Sequence, residues 1–181
     1  MNNNVRYSFC VILFGVLMCL SQMAQAQSPK SEFRSVWFQT VWAGDWPKQH
    51  TEKAQKSEFA SHLDRFERLG INAACFQVRT MCDAFYESPY EPWGQWLTGT
   101  RGGDPGYDPL QYLIEEAHKR GIEIHVWINP YRFASTSTYT TLPNDYSVTH
   151  PNWVKYCEAA GIYVINPSDP EVRAQIVKVI V

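Results

Sequence analysis

The segment IEIHVWINPYR, Ile122 to Arg132, decides how the chain is read. Its first half is rich in β-branched and aromatic residues and reads as a buried strand. Its second half stops in Asn129-Pro130-Tyr131-Arg132, which is rigid, polar and charged. A strand that ends this way can aim its last side chains into a site, so the question becomes whether the other strands end alike.

They do. Phe33 to Val41 reads as a first strand, followed by the short loop WAGDWPKQH. From Glu52 to Leu69 the residues Phe59, Leu63, Phe66 and Leu69 recur at helical steps, and Gly70 ends the pattern. Ile71 to Arg79 is a second strand. A long loop then runs to Asp108-Pro109, a capping residue followed by a first-turn proline, which opens a helix with Leu110, Leu113, Ile114 and Ala117 on its buried face. Lys119 and Arg120 suit that helix's C-terminal end, and Gly121 stops it before the strand Ile122 to Asn129. Beyond another long loop, His150-Pro151 is expected to open a helix reaching Ala160. GIYVINPS then either lines the sheet or connects, and Asp169-Pro170 starts a last helix with Val172, Ile176, Val179 and Ile180.

Strands alternating with helices imply an α/β fold with a parallel sheet. A doubly wound nucleotide-binding sheet is disfavoured because WAGDWP follows the first strand, with no G-x-G-x-x-G, and no G-K-[ST] occurs anywhere. Long aromatic loops after the strands suit a (β/α)₈ TIM barrel, whose active site is built at the C-terminal ends of its strands. A barrel takes about 250 residues, and three or four β/α units are legible here, so the expectation is the N-terminal portion of one.

Composition narrows the function. Arg6, the apolar run from Phe9 to Leu20 and Ala24-Gln25-Ala26 have the order of a secretory signal peptide, with cleavage expected after Ala26 and a retained anchor as the alternative. That leaves residues 27–181 as the barrel portion of an exported protein, periplasmic or extracellular, with no stable membrane insertion. The net charge of −2 is spread along the chain and offers no footprint for nucleic acid. Beyond the leader, Cys75, Cys82 and Cys157 allow at most one disulfide. The histidines lack metal-site spacing, so neither metal nor cofactor is expected. The chain holds 7 Trp, 10 Tyr and 9 Phe. Several stand beside Pro, Gly or Asp, where exposed rings would stack on sugars; the alternative is simple burial.

The candidate site is the set of strand ends. The first contributes Gln39, Trp42, Asp45 and Trp46; the second Gln77 and Arg79, with Asp83, Tyr86 and Trp93 in the loop beyond; the third His125, Asn129, Tyr131 and Arg132. Several of these residues have a structural alternative. Arg79 could pair with a carboxylate, Asp45 could serve a turn, His125 could be a packed core residue, and Asn129-Pro130 could merely end a strand.

The segment RSVWFQTVWAGDWP, the elements QVR, D-x-x-Y, EPW, LTG, DPGYDPL, HKRG and NPYR, and HPNWVKY with YVINPSDPEVR, in order from Arg34 to the end, resemble the glycosyl hydrolase-like 10 family of bacterial proteins. The resemblance implies a (β/α)₈ glycosidase-type domain acting on extracytoplasmic polysaccharide, with peptide-free cell-wall glycan as the substrate class. It also implies a later strand ending in clustered aspartates, beyond Val181. Glycoside hydrolysis uses two carboxyl groups, so Asp45 and Asp83 are the local candidates while the main pair is expected downstream. The remaining site residues are expected to bind substrate: the tryptophans as platforms, with Gln77, Arg79, Tyr86, His125, Asn129, Tyr131 and Arg132 around them. The rival reading is a carbohydrate-binding protein on a barrel that has lost catalysis.

Overall fold

The computed structural model describes residues 32–135 and 141–181, and within it residues 34–181 form one compact unit. The leader reading falls outside the described residues. Three strands, β1 (Ser35–Phe38), β2 (Ala73–Arg79) and β3 (Glu123–Ile128), form one parallel sheet in the order β1-β2-β3. Register aligns Trp37 with Cys75 and Cys75 with His125, and Phe38 with Phe76 and Phe76 with Val126. Side chains alternate across a strand. Phe38 and Phe76 therefore share one face of the sheet, while Trp37, Cys75 and His125 share the other.

Two helices cover the phenylalanine face. Helix α1 (Glu52–Arg68) buries Gln55, Phe59, Leu63 and Phe66 against it. Leu69, expected in that stripe, is 64% exposed. It stands outside the helix as its C-cap, and Gly70 turns the chain with φ 69°, a conformation that glycine adopts without steric penalty. After the short helix α2 (Gln95–Thr98), helix α3 (Pro109–His118) starts as expected. The Asp108 carboxylate accepts the Gln111 N–H at 2.9 Å and, with its other oxygen, the Glu87 N–H at 2.9 Å. The core between these layers is strongly aromatic. Phe59 meets Phe38, Phe76 and Trp46 edge-on at centroid distances of 5.8, 5.8 and 5.7 Å, a geometry that aligns ring edges with ring faces.

The chain then departs from simple β/α alternation. Strand β3 ends at Ile128, and after the Asn129-Pro130 turn Arg132 begins β4 (Arg132–Ser135). A second sheet forms in the order β4-β6-β5, all antiparallel, with β5 (Val154–Cys157) and β6 (Ile162–Ile165) as a hairpin. The helix expected from His150 to Ala160 is absent. A single helical turn, α4 (Tyr146–Thr149), precedes the hairpin instead. GIYVINPS supplies β6 and lines this second sheet. Helix α5 (Pro170–Ile180) follows, with the Asp169 carboxylate accepting the Glu171 N–H at 2.9 Å, and Val172 and Ile176 close a second core with Phe133, Tyr146 and Trp153. Ile180, placed on that helix's apolar face by its spacing, is 54% exposed.

Among the described residues no helix is long and apolar enough to cross a membrane. Cys75, Cys82 and Cys157 are free thiols, so the disulfide allowed by composition does not form in this structure.

Candidate active site

The C-terminal ends of β1, β2 and β3 lie side by side, because the strands are parallel and in register. What the sequence lists as a set of polar residues there, the structure sorts into those that build the rim and those that remain available on it.

Gln77 is a builder. Fully buried, it accepts the Thr40 N–H at 3.1 Å and the Val41 N–H at 3.0 Å through Oε1, while its own carbonyl accepts the Thr40 hydroxyl at 2.9 Å. This latch ties the loop after β1 onto β2. The loop then turns through two left-handed residues, Trp42 with φ 56° and Ala43 with φ 48°. Non-glycine residues adopt that conformation at a cost of about 1–3 kcal/mol when the surroundings enforce it. Here the Lys48 ammonium donates to the Ala43 and Gly44 carbonyls, and Ala43 and Gly44 donate back to Thr40 and Val41. The result holds Trp42 out with 54% of its surface exposed. Asp45, also exposed, closes the same turn by accepting the Gln39 N–H at 2.7 Å.

Trp46 requires a correction. Expected as a stacking platform, it is 2% exposed and its Nε1 donates to the Gln55 carbonyl at 3.1 Å. The indole is part of the core beneath the rim.

Arg79 is also buried, at 1% exposure, and its partner is Glu91. Nε donates to Oε2 at 2.6 Å and Nη2 to Oε1 at 2.5 Å, a two-pronged pair that fixes the plane of the guanidinium. Nη1 donates to the Asn129 and Pro130 carbonyls, the latter at 2.9 Å, and Nη2 reaches Cys82 Sγ at 3.2 Å. Burial works against the charge, yet Cys82 and the Glu91 carboxylate hold the guanidinium's pKa above its ordinary value. Arg79 is thus a clamp joining the loop after β2 to the end of β3, and not a free hydrogen-bonding arm for substrate. Glu91 is the residue that sequence reasoning passed over, although it lies in the EPW element and burial of Arg79 demands a carboxylate. The Tyr146 hydroxyl, 3.2 Å from Gln175 Nε2, donates to Glu91 at 3.3 Å. Burial and then Glu91 push the Tyr146 phenol up.

Asp83 is likewise spent within its own loop. It is 1% exposed, and Oδ1 accepts the Thr80 N–H at 3.0 Å, the Met81 N–H at 2.8 Å and the Thr80 hydroxyl at 2.7 Å. A carboxylate so engaged shapes the turn at Cys82, φ 47°, and does not project toward a substrate.

The third strand supplies Asn129, half-buried at the rim. Its Oδ1 accepts Trp127 Nε1–H at 3.1 Å and its Nδ2 donates to the Thr80 carbonyl at 3.2 Å. His125 lies lower, mid-strand and exposed, 3.4 Å from Glu123 Oε2, on the sheet face shared with Trp37 and Cys75. Tyr131 packs against the second core and Arg132 opens β4, so the NPYR run bends away from the sheet into its neighbour. Tyr86 is half-buried, with its hydroxyl donating to the Val179 carbonyl at 3.3 Å. Trp93 is half-buried, packed partly on the main core and bordering a cavity of the loops. No group of three or more potential metal ligands occurs among the described residues.

Parallel strands with helices between them and polar rim loops at the strand ends define a protein of the α/β class with the strand–helix order of part of a (β/α)₈ barrel. A solved structure bears this out at the level of fold: the noncanonic maltogenic α-amylase AmyB of Thermotoga neapolitana superimposes with a TM-score of 0.51 at 15% identity, over 81% of this chain and 35% of that one. The glycosyl hydrolase-like 10 family profile matches residues 32–181, and the chain belongs to that family. It is 41% identical over 178 residues to glycosyl hydrolase YngK of Bacillus subtilis (strain 168), covering 96% of this chain and 34% of the relative. It is 34% identical over 176 residues to glycosyl hydrolase DigH of Escherichia coli (strain K12), covering 87% of this chain and 40% of the relative. The chain therefore spans between a third and two fifths of the length of these curated relatives.

Proposed function

We propose that the protein is an exported glycoside hydrolase acting on polysaccharide outside the cytoplasm, with peptide-free bacterial cell-wall glycan as its substrate, and that residues 27–181 are the N-terminal part of a closed (β/α)₈ barrel. The observation that carries the reading is the rim itself. In a member of a glycosyl hydrolase-like family, a strained loop after β1 exposes Trp42, the end of β3 carries Asn129, and the Arg79–Glu91 clamp keeps the β2 and β3 loops in fixed relation. An indole face and an amide are the groups that grip a pyranose, one through its C–H face and one through its hydroxyls.

Cleavage of a glycosidic bond needs one carboxylic acid to protonate the leaving oxygen and a second carboxylate as base or nucleophile, about 5–9.5 Å away. Asp83 is engaged within its own loop and Glu91 by Arg79 and Tyr146, whereas Asp45, which accepts the Gln39 N–H, is exposed. On this reading the main catalytic pair belongs to β/α units of the barrel beyond those in residues 27–181. The engagement of Asp83 and Glu91 favours, as a second reading, a binding protein on the same scaffold.

Release of reducing ends from peptide-free glycan strands by the full-length protein separates the two readings. Asn129→Ala is the informative variant, because its side chain makes two peripheral hydrogen bonds, whereas Arg79→Ala would strand the Glu91 charge and unfold the rim. Turnover by Asn129→Ala is expected to fall more than tenfold with the thermal midpoint within a few degrees of wild type. Wild-type turnover in this variant would remove Asn129 from the site.

A further inference from the structure

The loop after β2 does more than supply Glu91 to the clamp. Between residues 87–93 and residues 142–144 lies a cavity of about 530 Å³, within the range of roughly 300–1,000 Å³ usual for small-molecule sites. Trp93 lines one wall. Glu91 and Arg101 line its base at 5% and 6% exposure, and both are immobilised. Arg79 holds Glu91, while Asp145 holds Arg101, whose Nη2 also donates to the Cys82 carbonyl at 3.1 Å. Glu87 and Asn144 stand exposed at the mouth.

The charges select the ligand. Each buried ion is compensated by its partner, Arg79 by Glu91 and Arg101 by Asp145. Among the described lining residues Arg101 is the sole cation, so the Glu87 carboxylate leaves the cavity about one unit negative. An anionic ligand would meet that charge unopposed, whereas neutral hydroxyls can donate to it. Trp93 is on the lining, and an indole is the kind of apolar surface on which a pyranose ring stacks. A fixed base supplies preorganisation, since little side-chain freedom remains to be lost on binding.

We propose that this cavity is a sugar subsite for an uncharged pyranose residue, separate from the Trp42–Asn129 rim and joined to it through the Arg79–Glu91 pair. The inference rests on the glycan reading above and sharpens it. In a cell-wall glycan, where alternate residues bear a lactyl carboxylate, this cavity takes the residue that lacks one.

The test is calorimetric titration of the full-length protein with tri-N-acetylchitotriose, which is neutral, and with trigalacturonate, which is anionic. The neutral trisaccharide is expected to bind at least tenfold more tightly. Asn144→Trp, which fills the mouth from an exposed position, is expected to weaken it at least tenfold, and Glu87→Lys to reduce the preference over trigalacturonate below threefold. Equal binding of the two sugars, no binding by wild type, or wild-type behaviour of both variants would overturn the subsite. Asn129→Ala separates this proposal from the hydrolase reading. In that variant trisaccharide binding is expected to stay sensitive to the mouth, with Asn144→Trp still weakening it at least tenfold, even as turnover falls. A tenfold loss there, with the mouth variants unaffected, would assign the sugar to the rim and overturn the cavity. Undiminished turnover in Asn129→Ala would count against the hydrolytic assignment of the rim and leave the cavity standing.

Discussion

Cys82 shows how far a residue's chemistry is set by its surroundings. Sequence alone offers it as a thiol two positions after Thr80 and next to Asp83; the structure makes it a fully enclosed group beside Arg79 and below the Arg132 carbonyl. Burial pushes the thiol up from 9.0 to about 12, against the pull of Arg79. The native thiol therefore stays protonated where the unfolded thiol ionises. Its contribution to stability is intact below pH 9 and is lost as pH rises from 9 toward 12. Urea midpoints measured across that window are expected to fall more steeply for wild type than for Cys82→Ala, and parallel slopes would contradict the burial. The same reasoning reassigns Asp83, Gln77 and Trp46. Residue type and position near a strand end were visible in the sequence, but which polar atoms were already satisfied was not, because that depends on backbone groups brought in by folding.

The elements divide by how local their signals are. The helices α1, α3 and α5 were legible in existence and type because spacing, Asp-Pro starts and terminal glycines act within a few residues. For α3 this has a measurable consequence. Asp108→Ala removes the acceptor for Gln111 N–H and for Glu87 N–H, and is expected to lower stability by about 0.5–2 kcal/mol in urea denaturation. No change would mean the cap is redundant. The stretch from His150 to Ala160 misled because its local signals point the other way. His150-Pro151 resembles a helix start, while four-residue strands are too short to display a period of two. Val154–Cys157 is a strand because Ile162–Ile165 is there to pair with it, with Tyr156 and Tyr163 packed across the hairpin at 5.1 Å. Strand preference depends strongly on such neighbours.

Across the whole molecule, two buried ion pairs tie segments distant in sequence. Arg79–Glu91 ties the β2 loop, whose Arg79 also holds the β3 end, and Arg101–Asp145 fastens the approach to α3 onto the segment before α4. Removing one partner from such a pair leaves a buried charge and costs about 3–5 kcal/mol, whereas replacing both by apolar residues is often close to neutral. Arg101→Met and Asp145→Leu singly are each expected to lower stability by about that amount, and the double variant by much less than their sum. Additive losses in urea denaturation would show that the two side chains are not coupled. The α/β class, the parallel β/α units, the helix caps, the family and the choice of strand ends as the candidate site were all determined by the sequence, because periodicity, capping and motif order are properties of neighbouring residues. The tertiary structure alone decided that Arg79 and Asp83 are consumed in building the rim, that Glu91 is the clamp, that Trp46 is core while Trp42 is exposed, and that NPYR opens a second, antiparallel sheet. Arg79, Trp46 and the NPYR strand depend on partners brought in from elsewhere in the chain, and Asp83 on a loop conformation that its neighbours adopt only in the folded rim, so the energy of a buried charge or an unpaired strand is settled only on folding.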